Sequence, residues 1–158
     1  MLVGRYYNIS YIWVLKTNQM KPPLLIGIDP GINTGMAIKG DKSIELKTVK
    51  THQAFMKIVD LSNDFDITVY CEDARQRKWY GKNAKVKNQG AGAIKVECKI
   101  WEDFLKDMLK SGRILNYYMV HPIRGGTKVN ELIFRQISGY SGRCSEHARD
   151  AYMLIHGK

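Results

Sequence analysis

At 158 residues the chain has room for one compact domain with a substantial core and is cramped for two. Its formal charge of +10, from 25 Lys and Arg against 15 Asp and Glu, gives a surface that attracts polyanions, nucleic acid foremost. No apolar run approaches the roughly 20 residues that cross a bilayer, which argues against a membrane-spanning protein.

Residues 1 to 23 carry no acid and a dense aromatic set, Tyr6, Tyr7, Tyr11 and Trp13. The segment lacks a signal-peptide cleavage site and is expected to be an extension dispensable for chemistry. Met20, just ahead of Pro22 and Pro23, is a candidate natural start. The domain proper is expected over 24–158. From Leu24, "LLIGIDPG", "TGMAIKG" and "SIELKTVK" read as strands, and the turn residues Pro30-Gly31 and Gly40-Asp41 favour an antiparallel meander. Phe55, Ile58, Val59 and Ser62 fall on one face of a helix predicted from Thr51 to about Asn63. "DITVYCED" is a further buried strand that ends in acids.

Positions 74 to 90 hold Arg75, Arg77, Lys78, Lys82, Lys85 and Lys87 and no acid, and read as a basic loop. Ile94, Trp101, Phe104 or Leu105, and Met108 predict an amphipathic helix over 91–110, stopped by Gly112. "NYYMVHP" is a strand closed by Pro122, and a Gly125-Gly126 loop leads to a short helix near 130–137. Ser145 then caps a last helix running from about Glu146 to the C-terminus. The result is an α/β arrangement in which parallel strands leave a site at their carboxyl ends. Cys71, Cys98 and Cys144 lack close C-x-x-C spacing and read as buried small residues in a reducing cytoplasm.

Acids at strand ends are the chemical signal. In "LIGIDPG", Ile26 and Ile28 point to one face and Leu25, Gly27 and Asp29 to the other, so Asp29 emerges where a buried strand ends. Glu72 holds the matching place in "ITVYCED". An anion there is costly unless a cation or donors receive it, and a hard divalent cation relieves two such charges together. In "SEHARDAYMLI", His147 and Asp150 share a helix face, while Ala148 and Ala151 are small enough to let that helix approach the sheet. Carboxylates on separate elements can hold two ions roughly 4 Å apart for phosphodiester hydrolysis. Each residue also has a plainer reading: Asp29 as a turn residue, Glu72 as partner to a neighbouring arginine, His147 as a satisfied helix residue, Asp150 as a solvent-facing acid.

The motifs "LIGIDPGINTG", "VYCEDARQRKW", "GAGAIKVECKIWEDFL", "TKVNELIFRQISG" and "SEHARDAYMLI", in that order from Leu24 to Gly157, resemble the RuvC-type Holliday-junction resolvases of the RNase H-like superfamily, particularly the small resolvases of bacteriophages. The resemblance implies a mixed five-stranded sheet, three strands antiparallel and then two parallel, with the strands of Asp29 and Glu72 adjacent. It implies a homodimer that binds four-way DNA junctions and nicks two opposed strands, in a cytoplasm that is the host's if the chain is phage-encoded. By motif, Asp29 bridges two Mg²⁺ ions, for which Mn²⁺ can substitute, Glu72 binds one, and Asp150 completes the set. His147 stands where many relatives have an acid, and an imidazole there can ligate metal or orient water. Lys128 resembles a lysine placed near the scissile phosphate. The basic stretch from Arg75 to Lys87 is then a DNA contact, with Trp79 or Tyr80 stacking on an unpaired base. Apolar residues left over on the 91–110 helix, Ile100 and Phe104 among them, are candidates for the dimer.

Three rivals remain open on sequence grounds. "DPGINTG" also looks like the phosphate turn of actin-like and sugar-kinase ATPases, which need two such domains. A nuclease of the same fold acting on an RNA-DNA hybrid or a flap is the second, and a non-catalytic junction-binding module the third.

Overall fold

The computed structural model describes residues 20–76, 84–122 and 129–158, with 84–91 as backbone. Five strands form one mixed sheet: β1 Pro23–Asp29, β2 Thr34–Lys39, β3 Ile44–Val49, β4 Asp66–Glu72 and β5 Asn116–Val120, in the order β3-β2-β1-β4-β5. β3, β2 and β1 are antiparallel neighbours, whereas β1, β4 and β5 run parallel. Helices α1 Thr51–Leu61, α2 Ala84–Lys110, α3 Glu131–Ser138 and α4 Glu146–Met153 flank it.

Two-residue alternation assigns the two faces of the sheet. Ile26 and Ile28 of β1 and Ile67, Val69 and Cys71 of β4 are fully buried in one layer, packed with Ile58 of α1 and Trp101, Leu105 and Met108 of α2. Burying a side chain such as Leu105 or Ile58 contributes about 1.5–3 kcal/mol. Phe55 bridges the two helices, its ring 4.5 Å from Trp101 and 4.1 Å from Phe104. On the opposite face Ala37, Phe134, Ala148, Ala151, Tyr152 and Ile155 make a second, smaller core.

The helix ends follow local chemistry. Ser145 Oγ accepts from the Ala148 amide at 3.1 Å, as its cap position predicts, and also bonds Thr48 on β3, which fixes the start of α4 to the sheet. Asn130 caps α3 in the same way, and Gly139 ends it with φ 67°, a left-handed conformation that glycine adopts without strain.

Several boundaries differ from the sequence reading. α2 begins at Ala84, so Lys85 and Lys87 belong to a helix and not to a loop. The run of positive charge read as a loop, but lysine, the other straight-chain residues and alanine there favour helix. α4 stops at Met153 and turns through Leu154 toward the end of the chain. Contacts with the sheet domain include residues just ahead of Leu24: Pro22 O accepts from the Asp66 amide at 3.0 Å, and Lys21 Nζ donates to Ser62 O at 2.8 Å. Residues 1–19 of the expected extension lie outside the described residues. Among the described residues no helix is long and apolar enough to cross a membrane.

Candidate functional site

Asp29 ends β1 on the face that α4 covers, and its position there depends on two glycines. Gly35 of β2 pairs directly across from Asp29, and Gly27 lies two residues back along β1. A Cβ on Gly27 would stand 1.9 Å from the Ala151 carbonyl oxygen, and one on Gly35 would stand 2.0 Å from that of His147. The backbone of α4 therefore rests on bare sheet backbone, and Ala148 and Ala151, both buried, keep its own side chains out of the way. This close approach delivers the imidazole: His147 Nδ1 lies 2.9 Å from Asp29 Oδ2. The Asp29 side chain is only 16% exposed, while His147 is 42% exposed and so faces outward from the same pair.

Glu72 enters from the neighbouring strand. The parallel register pairs Ile28 with Cys71, so Asp29 and Glu72 are the next residues of two adjacent strands. The Glu72 carbonyl lies 3.7 Å from the thiols of both Cys71 and Cys98, a weakly bonded seat beneath the strand end. Burial pushes the Cys71 thiol well above its ordinary value, and Cys98, Asp73, Asp29 and Glu72 push it further in the same direction. The strand ends thus concentrate negative potential. Asp150, half-buried, sits one turn along α4 from His147.

Arg75 occupies a position inside the domain. Its Nε donates to Asp73 Oδ1 at 2.6 Å, Nη2 to Asp73 Oδ2 at 2.9 Å, and Nη1 to Glu102 Oε2 at 2.7 Å. Burial alone would raise the Asp73 carboxyl, but hydrogen bonds from Arg75 and Gln76 outweigh it and hold the group low. The arginine beside Glu72 in sequence thus serves Asp73 and Glu102, and a phosphate contact by it would compete with both. Of the other expected site residues, Arg77, Lys78, Trp79, Tyr80, Lys82 and Lys128 lie outside the described residues, as do the side chains of Lys85 and Lys87.

Sequence reasoning missed Glu97. It lies on α2 one residue before buried Cys98, and its Oε1 accepts from Thr51 Oγ1 at 3.3 Å. Its Oε2 is buried without a hydrogen-bond partner among the described residues, a state that costs about 1–3 kcal/mol or more for a charged group. Thr34 Oγ1, fully buried, donates to Gly31 O at 3.0 Å and lies 3.3 Å from Thr51 Oγ1, so one polar chain ties the turn after Asp29 to α1 and α2. Between that turn and α2 opens a cavity of about 360 Å³ with Glu97 and His147 in its wall. Helical spacing could have placed Glu97 beside Ile94 and Trp101, but nothing in the sequence marks it as facing the Asp29 turn.

The donor set, three carboxylates and an imidazole, chemically suits Mg²⁺ or Mn²⁺, and the field around Cys71 is of the sign that a cation relieves. Among the described residues no three or more His, Cys, Asp or Glu side chains are grouped so that they could hold a metal ion. Mg²⁺ commonly binds through one or two carboxylates and fills its shell with water and substrate phosphate, a demand that the strand-end acids Asp29 and Glu72 could meet. Compared with known proteins, the chain matches no protein-family model and no curated protein.

Proposed function

We propose that the chain is a metal-dependent endonuclease of RNase H-like, RuvC type that resolves four-way DNA junctions by hydrolysing phosphodiesters on opposed strands. One observation carries the reading: Asp29 and Glu72 end adjacent parallel strands on the face where α4 sets His147 against Asp29 and carries Asp150. A +10 charge supplies attraction for the polyanion, and the sequence resemblance supplies the junction.

In this reading Asp29, Glu72 and Asp150 would hold the metal, with His147 as the fourth donor or as a group that orients water. Two Mg²⁺ ions, or Mn²⁺ in their place, would there lower the pKa of water and stabilise the leaving oxygen. Asp29 fixes the imidazole through Nδ1, which leaves Nε2 as the ring nitrogen that meets water or substrate. By the resemblance, Lys128 would act near the scissile phosphate, and Arg77, Lys78, Trp79, Tyr80, Lys82, Lys85 and Lys87 would contact DNA; Arg75, engaged by Asp73 and Glu102, is less available for that role. The enzyme acts as a cytoplasmic homodimer, so two such sites nick the junction symmetrically.

Cleavage of a labelled mobile four-way junction in Mg²⁺ or Mn²⁺ tests this directly. Symmetric paired nicks that vanish in Asp29→Asn, while junction binding survives, are the expected result. Preference for an RNA-DNA hybrid would reassign the substrate. Binding without cleavage in either metal would leave a recognition module.

A further inference from the structure

The face of the sheet that carries Asp29 and Glu72 is unevenly covered. α4 packs mainly on β1 and β2, with β3 beyond, while on the same face Tyr70 and Glu72 of β4 and Asn116 and Tyr118 of β5 all keep contact with solvent. Tyr118 is 46% exposed, yet its ring is held in place. It stacks on the Tyr70 ring, with centroids 4.9 Å apart and planes 21° from parallel, and its hydroxyl accepts from Asn116 Nδ2 at 3.0 Å. Lys158 Nζ lies 5.6 Å from the centre of the Tyr70 ring, so a cation joins the pair. We propose that Tyr118 is a stacking platform for one unpaired base of single-stranded DNA, and that Lys158 takes a phosphate of the same strand. The proposal rests on the nucleic-acid reading and adds to it a binding site apart from the basic stretch that follows Glu72.

Three observations carry it. β5 is the edge strand, so no further strand sets a side chain against Tyr118 on the side away from Tyr70, and the ring can extend its stack there. Because Tyr70 and Asn116 already fix that ring, little side-chain freedom is lost when a base lies on it. The second is chemical: an aromatic face beside a cation matches a nucleotide, which brings a π-face and an anion together, and the +10 chain favours that partner over an uncharged one. The third is register. Tyr118 pairs with Tyr70 and Val120 with Glu72, so the platform lies two strand residues, about 7 Å, back along the sheet from the Glu72 carboxylate. A strand laid along this face therefore runs from the stacked base to the carboxylates. Every base has a π-face, so the platform tolerates sequence; a base within a duplex already gives its faces to its neighbours, so the platform selects unpaired nucleotides.

Binding in EDTA tests the platform apart from any cleavage. Two end-labelled strands of equal length and charge, oligothymidylate and its abasic counterpart, are titrated with the full chain at one fixed salt concentration and followed by fluorescence anisotropy. Tyr118→Ala weakens the thymidylate strand about tenfold and leaves the abasic strand unchanged. Tyr118→Leu, which keeps apolar bulk without a π-face, does the same and covers the case in which the alanine variant misfolds. Tyr118→Phe, which keeps the ring, stays close to wild type. A loss shared by both strands in a folded variant, no loss from either, a phenylalanine variant as weak as the alanine one, or a wild type that binds neither strand overturns the platform. Dissociation of a dimer by Tyr118→Ala with strand binding intact overturns it too and gives the face to a second copy. Junction cleavage with thymidylate affinity untouched by Tyr118→Ala sinks the platform and spares the nuclease; selective loss of thymidylate in a chain that cuts nothing does the reverse.

Discussion

The carbonyl oxygen of His147 stands 2.0 Å from the point a Cβ on Gly35 would occupy, and Gly35 is the residue paired with Asp29 across β1 and β2. Backbone contact between helix and sheet therefore sets the distance between imidazole and carboxylate. Side-chain length has little part in it.

Gly35→Ala forces backbone against backbone, which no rotamer change relieves. It should cost about 3 kcal/mol in urea unfolding and break the bond between His147 and Asp29, lowering any cleavage rate beyond the stability loss. Gly27→Ala, facing the Ala151 carbonyl, should behave alike. Gly92→Ala is the control: a Cβ there meets nothing within 4 Å, so helix propensity alone should raise stability by up to about 1 kcal/mol. Equal tolerance at all three positions would refute the close-approach account.

Those glycines show what the sequence conceals. Ala148 and Ala151 announced a helix able to approach the sheet, and the alternation of Ile26 and Ile28 against Asp29 was readable because strand period is local. Gly27 and Gly35 carry no such period; their need appears only once α4, more than a hundred positions away in the chain, is laid across them. Glu97 was hidden for the same reason, since facing the Asp29 turn is a tertiary property. The start of α2 was misjudged because charge density at Lys85 and Lys87 suggested a loop, although lysine is a good helix former. The antiparallel trio was legible because short turns dictate antiparallel neighbours, whereas the adjacency of the Asp29 and Glu72 strands came from the resemblance and not from any local signal.

The Arg75 cluster predicts a specific acid response. Hydrogen bonds from Lys106 and Arg75 hold the Glu102 carboxyl below its usual value, and Asp73 is held low as well. Groups depressed in the folded state stabilise it above their unfolded pKa and lose that contribution as pH falls through the folded one. At neutral pH Arg75→Ala should cost about 2 kcal/mol, between an exposed and a buried pair, because it leaves nearly buried Asp73 without its fork. Below about pH 4 the gap between wild type and variant should close as both acids protonate. Chemical denaturation at stepped pH measures it, and a gap that does not change with pH sinks the assignment.

Thiol chemistry checks the seat of Glu72. Burial raises the Cys71 and Cys98 thiols, whereas Cys144 is half-exposed. A thiolate-selective reagent should modify Cys144 first and reach Cys71 and Cys98 only on unfolding. Rapid modification of Cys71 in the native protein would show that the strand end is open where the structure closes it.

His147→Asp replaces an imidazole with a second carboxylate at hydrogen-bonding distance from Asp29. Without divalent cation the two carboxylates repel, so the variant should unfold more easily than wild type, by about 1 kcal/mol. A bound hard cation relieves that repulsion, so Mg²⁺ should raise the melting temperature of the variant more than that of wild type. If the proposed chemistry holds, the ratio of junction cleavage in Mg²⁺ to that in Mn²⁺ should rise too, because an imidazole suits Mn²⁺ better than Mg²⁺ and a carboxylate suits both. The melting shift requires no catalysis. A variant whose stability ignores Mg²⁺ would mean that Asp29 and position 147 do not share a cation, and that the hydrogen bond between them is structural.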